Sequence, residues 1–383
     1  MSRAYWTAEH ERFRDVLRAF LDREARPYYD TWEAEREVPR SFWQRLGKQG
    51  YLCPEVPPEY GGAGADFGYA VAIIEELERV GSGLAGISLH NDIVVPYLLA
   101  YGTEEQKRRW LPGCVTGETI TAVAMTEPGA GSDLAGIRTV ARRAGEHYVV
   151  NGQKTFITNG ILADLVVVVV RTDPDAEPHR GLSLLVVERD TPGFTRGRKL
   201  RKIGQHSQDT AELFFSDARV PVGNLLGREG QGFRYLMERL VQERLVVAIG
   251  AQVAAEVMLE DTLAYVKTRT AFGRPIGAFQ HVAFTLAEVA TEVRLGRTFV
   301  DDLIGRYMAG DDLVTEVSMA KWWVTDMAKR VASRCLQLHG GYGYMEEFPI
   351  ARRYRDVAVT SIYAGTNEIM KTIIARRMGL GER

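Results

Sequence analysis

Phe233-Arg234-Tyr235-Leu236-Met237-Glu238-Arg239-Leu240-Val241-Gln242-Glu243-Arg244-Leu245-Val246-Val247 lies inside a long helical pattern that begins near Gly230. Phe233, Leu236, Leu240, Glu243 and Val247 follow one another at spacings of three, four, three and four, which stacks them on one face of a helix. Four are apolar and one is a carboxylate. A Glu on a buried seam is costly unless it is paired or protonated. Burial also raises its pKa toward the range in which a carboxylate serves as a base. Two readings of Glu243 stand at this point: an ion pair with Arg239 one turn earlier, or a catalytic base.

Outward from that helix the chain changes character twice. On the N-terminal side, Thr119–Met125, Leu165–Val170, Leu182–Glu188 and Ala211–Phe215 are rich in β-formers. His147–Val150 and Lys154–Thr158 flank Asn151-Gly152, which predicts a hairpin. Before them the chain reads as helical. Thr7 is an N-cap, Pro39-Arg40-Ser41 opens a second helix, and Pro54–Gly64 breaks the pattern. Leu84–Tyr101 should be a buried helix that Pro96 kinks or deprives of one hydrogen bond. Thr103 and Gln106 have the spacing of a capping box. Helical patterns return over 230–268, 279–308, 312–338 and 366–378. The expected fold class is α+β in three parts: an all-α domain over 1–118, a β-barrel or sandwich domain over 119–228, and a four-helix bundle over 229–383.

Composition excludes several functions. The chain has 383 residues, 45% apolar and 26% charged, as in ordinary globular proteins of two or three domains. A net charge of −2 gives no support for nucleic-acid binding. Cys53, Cys114 and Cys335 form no CxxC and point to neither a zinc site nor a disulfide framework; a reducing cytoplasm fits. Met1–Arg18 lacks the apolar core of a signal peptide, and Leu165–Val170, the longest apolar run, is too short to span a bilayer. The seven histidines lack metal-ligand spacing, and no GxSxG occurs.

Three motifs remain, each with a plain structural alternative. Thr126-Glu127-Pro128-Gly129-Ala130-Gly131-Ser132-Asp133 is a Gly-rich turn whose N–H groups suit an anion, or simply a turn. His339-Gly340-Gly341-Tyr342-Gly343-Tyr344 allows close approach to a ligand, or ends a helix. Arg269-Thr270-Ala271-Phe272-Gly273-Arg274-Pro275 sets arginines suited to a diphosphate beside an aromatic, or forms a solvated helix end.

Five segments, in order and nearly end to end, resemble the acyl-CoA dehydrogenase family. They are Ala124–Asp133, Asn151–Asn159, Arg269–Gly273, Gln337–Gly343 and Ile362–Glu368. One departure is informative. Medium- and short-chain members carry the catalytic Glu where this chain has Ala364, whereas the long-chain and isovaleryl branches place it at the position of Glu243. The resemblance is strongest to the long-chain branch. It implies FAD-dependent α,β-dehydrogenation of a fatty acyl-CoA to a trans-2-enoyl-CoA, as in β-oxidation. Glu243 would take the pro-R α-proton, the Ala364 N–H and a flavin ribityl hydroxyl would hold the carbonyl, and flavin N5 would accept the hydride.

The resemblance also implies the binding residues. Met125, Thr126, Phe156 and Thr158 would edge the flavin, and Ser132 would sit near the diphosphate and the pantetheine. Arg269, Phe272 and Gln280 of a neighbouring subunit would hold diphosphate and adenine, as would Gln337, Gly340 and Gly341. Thr366 and Glu368 would close the site. Val241, Arg244, Tyr363 and Gly365 would line the thioester end, and His179 and Arg180 would meet the CoA nucleotide. Ala85, Gly86 and Ser88 near Pro96 would leave the acyl pocket roomy. A homotetramer and an electron-transferring flavoprotein as acceptor are implied as well. Two alternatives remain: a dehydrogenase of carrier-protein-bound thioesters, and a flavin- or acyl-CoA-binding protein without activity.

Overall fold

The N-terminal helices begin where their caps dictate. The computed structural model describes residues 3–177 and 179–381. Helix α1 (Ala8–Glu24) opens at Thr7, whose side chain accepts from the His10 N–H while the His10 ring accepts from the Thr7 N–H, so a histidine closes this capping box. Helices α2 (Tyr29–Glu35), α3 (Arg40–Lys48) and α4 (Phe67–Val80) follow, the last capped by Asp66. The sequence reading missed α2, a seven-residue helix too short to show a period.

The buried helix expected over 84–101 is α5 (Ala85–Ser88), a widened π turn (Leu89–Val94) and α6 (Val95–Tyr101). The Val95 N–H reaches back to the His90 carbonyl, and Pro96 falls in the first turn of α6, where its missing N–H does least harm. Helix α7 (Glu104–Thr116) has the expected Thr103–Gln106 box.

Eight strands follow: β1 (Thr121–Ala124), β2 (Val140–Ala144), β3 (His147–Thr158), β4 (Leu165–Arg171), β5 (Leu182–Glu188), β6 (Phe194–Lys199), β7 (Thr210–Pro221) and β8 (Leu225–Leu226). They run β6-β7-β3-β2-β4-β5-β8, with β1 parallel to β4. The hairpin expected at Asn151-Gly152 is not there. Strand β3 runs straight through, and the pair forms a bulge against β7, where the register shifts between Val150 and Gly152. Gly152 has φ 151°, and a Cβ there would stand 2.5 Å from Thr139 Oγ1, so glycine serves a close strand approach. The true turn is Gly145-Glu146, between β2 and β3.

Strands β4 and β5 are apolar on both faces because both are covered. Leu165, Val167 and Val169 join the core of the N-terminal helices, while Val166, Val168 and Val170 fill the β core.

Helix α8 (Gly232–Thr268) spans 37 residues, roughly 55 Å at 1.5 Å per residue. The short hairpin β9 (Thr270–Ala271) and β10 (Arg274–Pro275) leads to α9 (Gln280–Met308), α10 (Val314–His339), α11 (Pro349–Asp356) and α12 (Asn367–Arg377). Helix α8 packs on α9 and α10 on one side and on α4 on the other, through Leu245, Ala248, Ile249 and Ala255 against Phe67, Ala70 and Ile74. It therefore carries Glu243 to the junction of the N-terminal helices and the C-terminal bundle.

Candidate active site

The seam on α8 forms as its spacing requires: Leu236, Leu240 and Val247 are buried and Phe233 partly so. Glu243 is partly enclosed, and its Oε2 is buried with no hydrogen-bond partner among the described residues. The ion pair with Arg239 does not form; that guanidinium lies over the Tyr101 ring instead, 5.7 Å from its centroid. Burial pushes the Glu243 carboxyl up to about 7, against the pull of Arg244 and Lys321. Tyr97 from α6 faces it with a buried, unpartnered hydroxyl, and burial first, then the Glu243 charge, raises that phenol far above its ordinary range. Arg244 is buried beside them with an unpartnered Nε.

The second element of the site is the turn before α12. Ala364 and Gly365 both take left-handed backbone, φ 54° and 86°. Lys321 of α10, fully buried, donates to the Gly365 carbonyl at 2.6 Å and to Asn367 Oδ1 at 3.1 Å. Asn367 donates in turn to Thr325 Oγ1 and Asp326 Oδ1. Thr366 caps α12, its hydroxyl accepting from the Ile369 N–H. Among the described residues no group accepts from the Ala364 N–H. Lys321 and Glu243 feel each other's charge, which ties the turn to the seam carboxylate. Glu368 is exposed on the first turn of α12.

The β domain meets this turn along one edge. The Thr155 N–H donates to the Thr126 carbonyl at 2.9 Å. Buried Lys154 donates to the Met125 carbonyl at 3.0 Å and to Glu127 at 2.8 Å, while the Glu127 carboxylate also accepts from the Arg138 and Thr139 N–H groups. Met125 and Thr126 are thereby fixed beside Phe156, which is 69% exposed on a left-handed φ of 59°. Thr158 accepts from Gln208 at 2.8 Å, and Gln205 in the same loop lies against the Tyr363 hydroxyl, next to Ala364. Glu127 and Ala130 pair across the Gly-rich turn, leaving Ser132 exposed; a Cβ at Gly129 or Gly131 would meet nothing among the described residues.

Other expected residues fall elsewhere. His179 stands edge-on to Phe233, 6.3 Å between ring centroids, and the Arg180 carbonyl lies against Gly230. That places the loop at the N-terminal end of the seam, ten residues or about 15 Å from Glu243. Val241 does not join Glu243. Two residues apart is about 200° around a helix, and Val241 lines a cavity of about 470 Å³ with Glu55, Phe67, Gln242 and Tyr307. Gly86 does not open space either: Asn159 donates to its carbonyl at 2.9 Å and fills the place a Cβ would take.

Arg269, Phe272, Gln280, Gln337, Gly340 and Gly341 are all exposed. Arg269 lies 5.2 Å from the Tyr342 ring centroid, while Phe272 is 95% exposed at the tip of the β9–β10 hairpin. Arg269 is 26 residues past Glu243, about 39 Å along α8. Sequence reasoning missed Tyr97, Lys321, Asn367, Gln205 and Gln208. A lone lysine on a helix and two glutamines in a loop carry no periodic signal.

A carboxyl with a buried, unpartnered oxygen thus lies where a helical domain and a helical bundle meet, with a β domain beside them. The chain belongs to the acyl-CoA dehydrogenase family: the family's N-terminal domain matches residues 7–118, its middle domain 122–218 and its C-terminal domain 230–379. It is 46% identical to the mitochondrial long-chain specific acyl-CoA dehydrogenase of Rattus norvegicus, over 98% of this chain and 88% of that protein. It is 40% identical to an acyl-CoA dehydrogenase of Bacillus subtilis strain 168, over 97% and 98%. The crystal structure of an acyl-CoA dehydrogenase from Geobacillus kaustophilus superposes with a TM-score of 0.98 at 67% identity, covering 99% of this chain and all of that one.

Proposed function

We propose that this protein is a FAD-dependent acyl-CoA dehydrogenase that introduces a trans double bond between Cα and Cβ of long-chain acyl-CoA, with Glu243 as the base. The observation that carries this reading is the unpartnered Glu243 carboxyl, raised by burial and sensing the charge of Lys321, which holds the Ala364–Gly365 turn. The long-chain preference is supported by the rat relative.

The chain's own groups account for the proton transfer. The Ala364 N–H donates to the thioester carbonyl and stabilises the negative charge that grows there as the α-proton leaves. Glu243 accepts that proton. Burial already disfavours its ionised form, so the neutral acid it becomes is the form the site prefers. Arg244 balances the charge before transfer. His179 and Arg180, at the mouth of the seam, would meet the CoA nucleotide.

The residues present fit FAD. Phe156 is exposed on a fixed edge beside Met125 and Thr126, and the turn bearing Gly129 and Gly131 leaves space for a ligand next to Ser132. Thr158 continues that edge. Bound FAD would supply the acceptor for the β-hydride. Arg269, Phe272, Gln280, Gln337, Gly340 and Gly341 would hold its diphosphate and adenine in a neighbouring subunit, since within one chain they lie a helix length from Glu243. Exposed Phe272, Phe284, Leu295, Tyr344 and Ile362 on the C-terminal part suit burial between copies, as a homotetramer requires. Electron-transferring flavoprotein would receive the electrons, and the free, buried cysteines suit the cytoplasm.

The test is anaerobic bleaching of the flavin band by a ladder of acyl-CoAs, with wild type and Glu243→Gln. Bleaching by wild type alone, strongest with long straight chains, is expected. Bleaching by both would remove Glu243 as the base, and a preference for C4 or branched C5 thioesters would remove the long-chain assignment.

A further inference from the structure

Lys321 is out of place as a structural residue. It is fully buried on α10, yet forms no ion pair among the described residues. A buried ammonium without a carboxylate partner is expensive, and folds seldom keep one without use. What it holds is the turn before α12: the Gly365 carbonyl at 2.6 Å and Asn367 Oδ1 at 3.1 Å. Asn367 is anchored to the next turn of α10 through Thr325 and Asp326. The turn is thus clamped at two points, one residue and three residues beyond Ala364. Ala364 is a non-glycine residue in left-handed backbone, a conformation that persists only where the surroundings enforce it.

We propose that Lys321 is a positioning residue of the dehydrogenase reaction: it clamps the Gly365 carbonyl so that the Ala364 N–H is presented to the substrate thioester. This rests on the assignment of Glu243 as that base. Charged and titratable groups around the pair are Arg244 on α8, Tyr97 on α6, Asp326 on α10 and Glu368 on α12. Burial, with Arg244 adding to it, brings Lys321 down to about 8, and burial brings Glu243 up to about 7. Activity in the free enzyme therefore needs Glu243 to have lost its proton, above about pH 7, and Lys321 to have kept its own, below about pH 8.

The experiment uses the holoenzyme with Lys321→Met and Lys321→Arg. Its readouts are the single-turnover rate of flavin reduction against pH, and affinity for an enoyl-CoA and for an acyl thioether analogue that lacks the carbonyl oxygen. For Lys321→Met the rate is expected to fall roughly 100-fold, the scale of losing one oxyanion donor. Its acid limb should move to higher pH, and enoyl-CoA affinity should weaken about tenfold while thioether affinity stays, a split that a single hydrogen bond explains. Lys321→Arg should keep the acid limb in place and still reduce flavin more slowly. An unmoved acid limb and an unchanged thioester-to-thioether ratio in Lys321→Met, with only a lower melting temperature, would overturn the proposal. Should that variant lose its flavin, a wild-type rate in Lys321→Arg would overturn it instead. Glu243→Gln in parallel separates the two claims: if it still bleaches, the base assignment fails, while the thioester-to-thioether ratio still reports on the clamp.

Discussion

Glu243 and Glu75 are two helical glutamates with carboxyl oxygens shut away from water, and the fold treats them in opposite ways. Glu75 on α4 accepts from Arg3 at 3.0 and 2.9 Å and from Arg297 at 2.8 Å. Burial alone would raise its carboxyl, but Arg297 and Arg3 overcome that and hold it below the ordinary range. Glu243 has Arg244 and Lys321 nearby, yet its Oε2 has no partner and burial wins. The contrast separates an acid used to join elements from one kept available for a proton. The fold has guanidinium groups to spare for Glu75 and supplies none in hydrogen-bonding contact with Glu243.

The largest effect that tests this contrast is on rate. Glu243→Gln should slow flavin reduction by about 10²- to 10⁴-fold, the usual contribution of a general base. The same change should stabilise the protein at alkaline pH. The folded pKa of Glu243 lies above its unfolded value, so its stabilising contribution is complete below the unfolded pKa. It is lost as pH rises through about 7. Melting curves at pH 6 and pH 9 should show the variant gaining on wild type at the higher pH. A variant that is both inactive and less stable at pH 9 would make Glu243 a structural acid.

Glu75→Gln should do the reverse. It leaves Arg3 with Asp301 at 3.4 Å, while Arg297 keeps Glu256 at 2.7 and 2.9 Å. Breaking a buried pair from one side costs about 3 to 5 kcal/mol, and the retained Glu256 contacts argue for the lower end. Denaturant titration reads that loss, and flavin reduction by the folded fraction should change less than about threefold, as expected for a site outside the reaction. The paired state also fixes a pH direction. A carboxyl held below its unfolded pKa contributes stability that is present above the unfolded pKa and fades as pH falls through the folded one. The stability difference between Glu75→Gln and wild type should therefore shrink in acid.

How much of this was legible in the sequence follows from what each feature depends on. The seam carrying Glu243 was readable because helical period is a local property, and Ala364 made the seam acid more conspicuous. The caps at Thr7 and Thr103 were readable for the same reason. Asn151-Gly152 misled because the turn and bulge signals coincide; the choice was made by Thr139 and by β7, both distant in sequence. Strands β2 and β6, with polar or charged faces such as Val140–Ala144 and Phe194–Lys199, lack the alternation that would announce them. Lys321 was invisible because its role depends on Gly365, 44 residues away and on another element. The fate of Arg239, turned onto Tyr101, depended likewise on a packing partner outside its helix.

Asp92 gives the smallest expected effect and the sharpest control. It lies in the π turn, is fully buried, and has no partner for either carboxyl oxygen among the described residues. Burial, with the Glu55 charge adding to it, pushes its carboxyl well above the ordinary range. By burial and lack of partners alone Asp92 is as good a candidate as Glu243. It differs in place: Lys321 and Arg244, which face Glu243, do not act on it, and its charged neighbour is Glu55. Asp92→Asn should therefore leave the rate of flavin reduction within about threefold. It replaces one neutral, nearly isosteric group with another, so in acid, where the unfolded carboxyl is protonated too, stability should change by no more than about 1 kcal/mol, within the range of volume-conserving swaps. The raised folded pKa again means stability that is complete below the unfolded pKa and lost as pH rises above it, so the variant should gain on wild type from mildly acidic pH upward. Loss of bleaching in Asp92→Asn would show that an unpartnered acid is needed at both places, and the link of Glu243 to the Ala364 turn through Lys321 would no longer single it out.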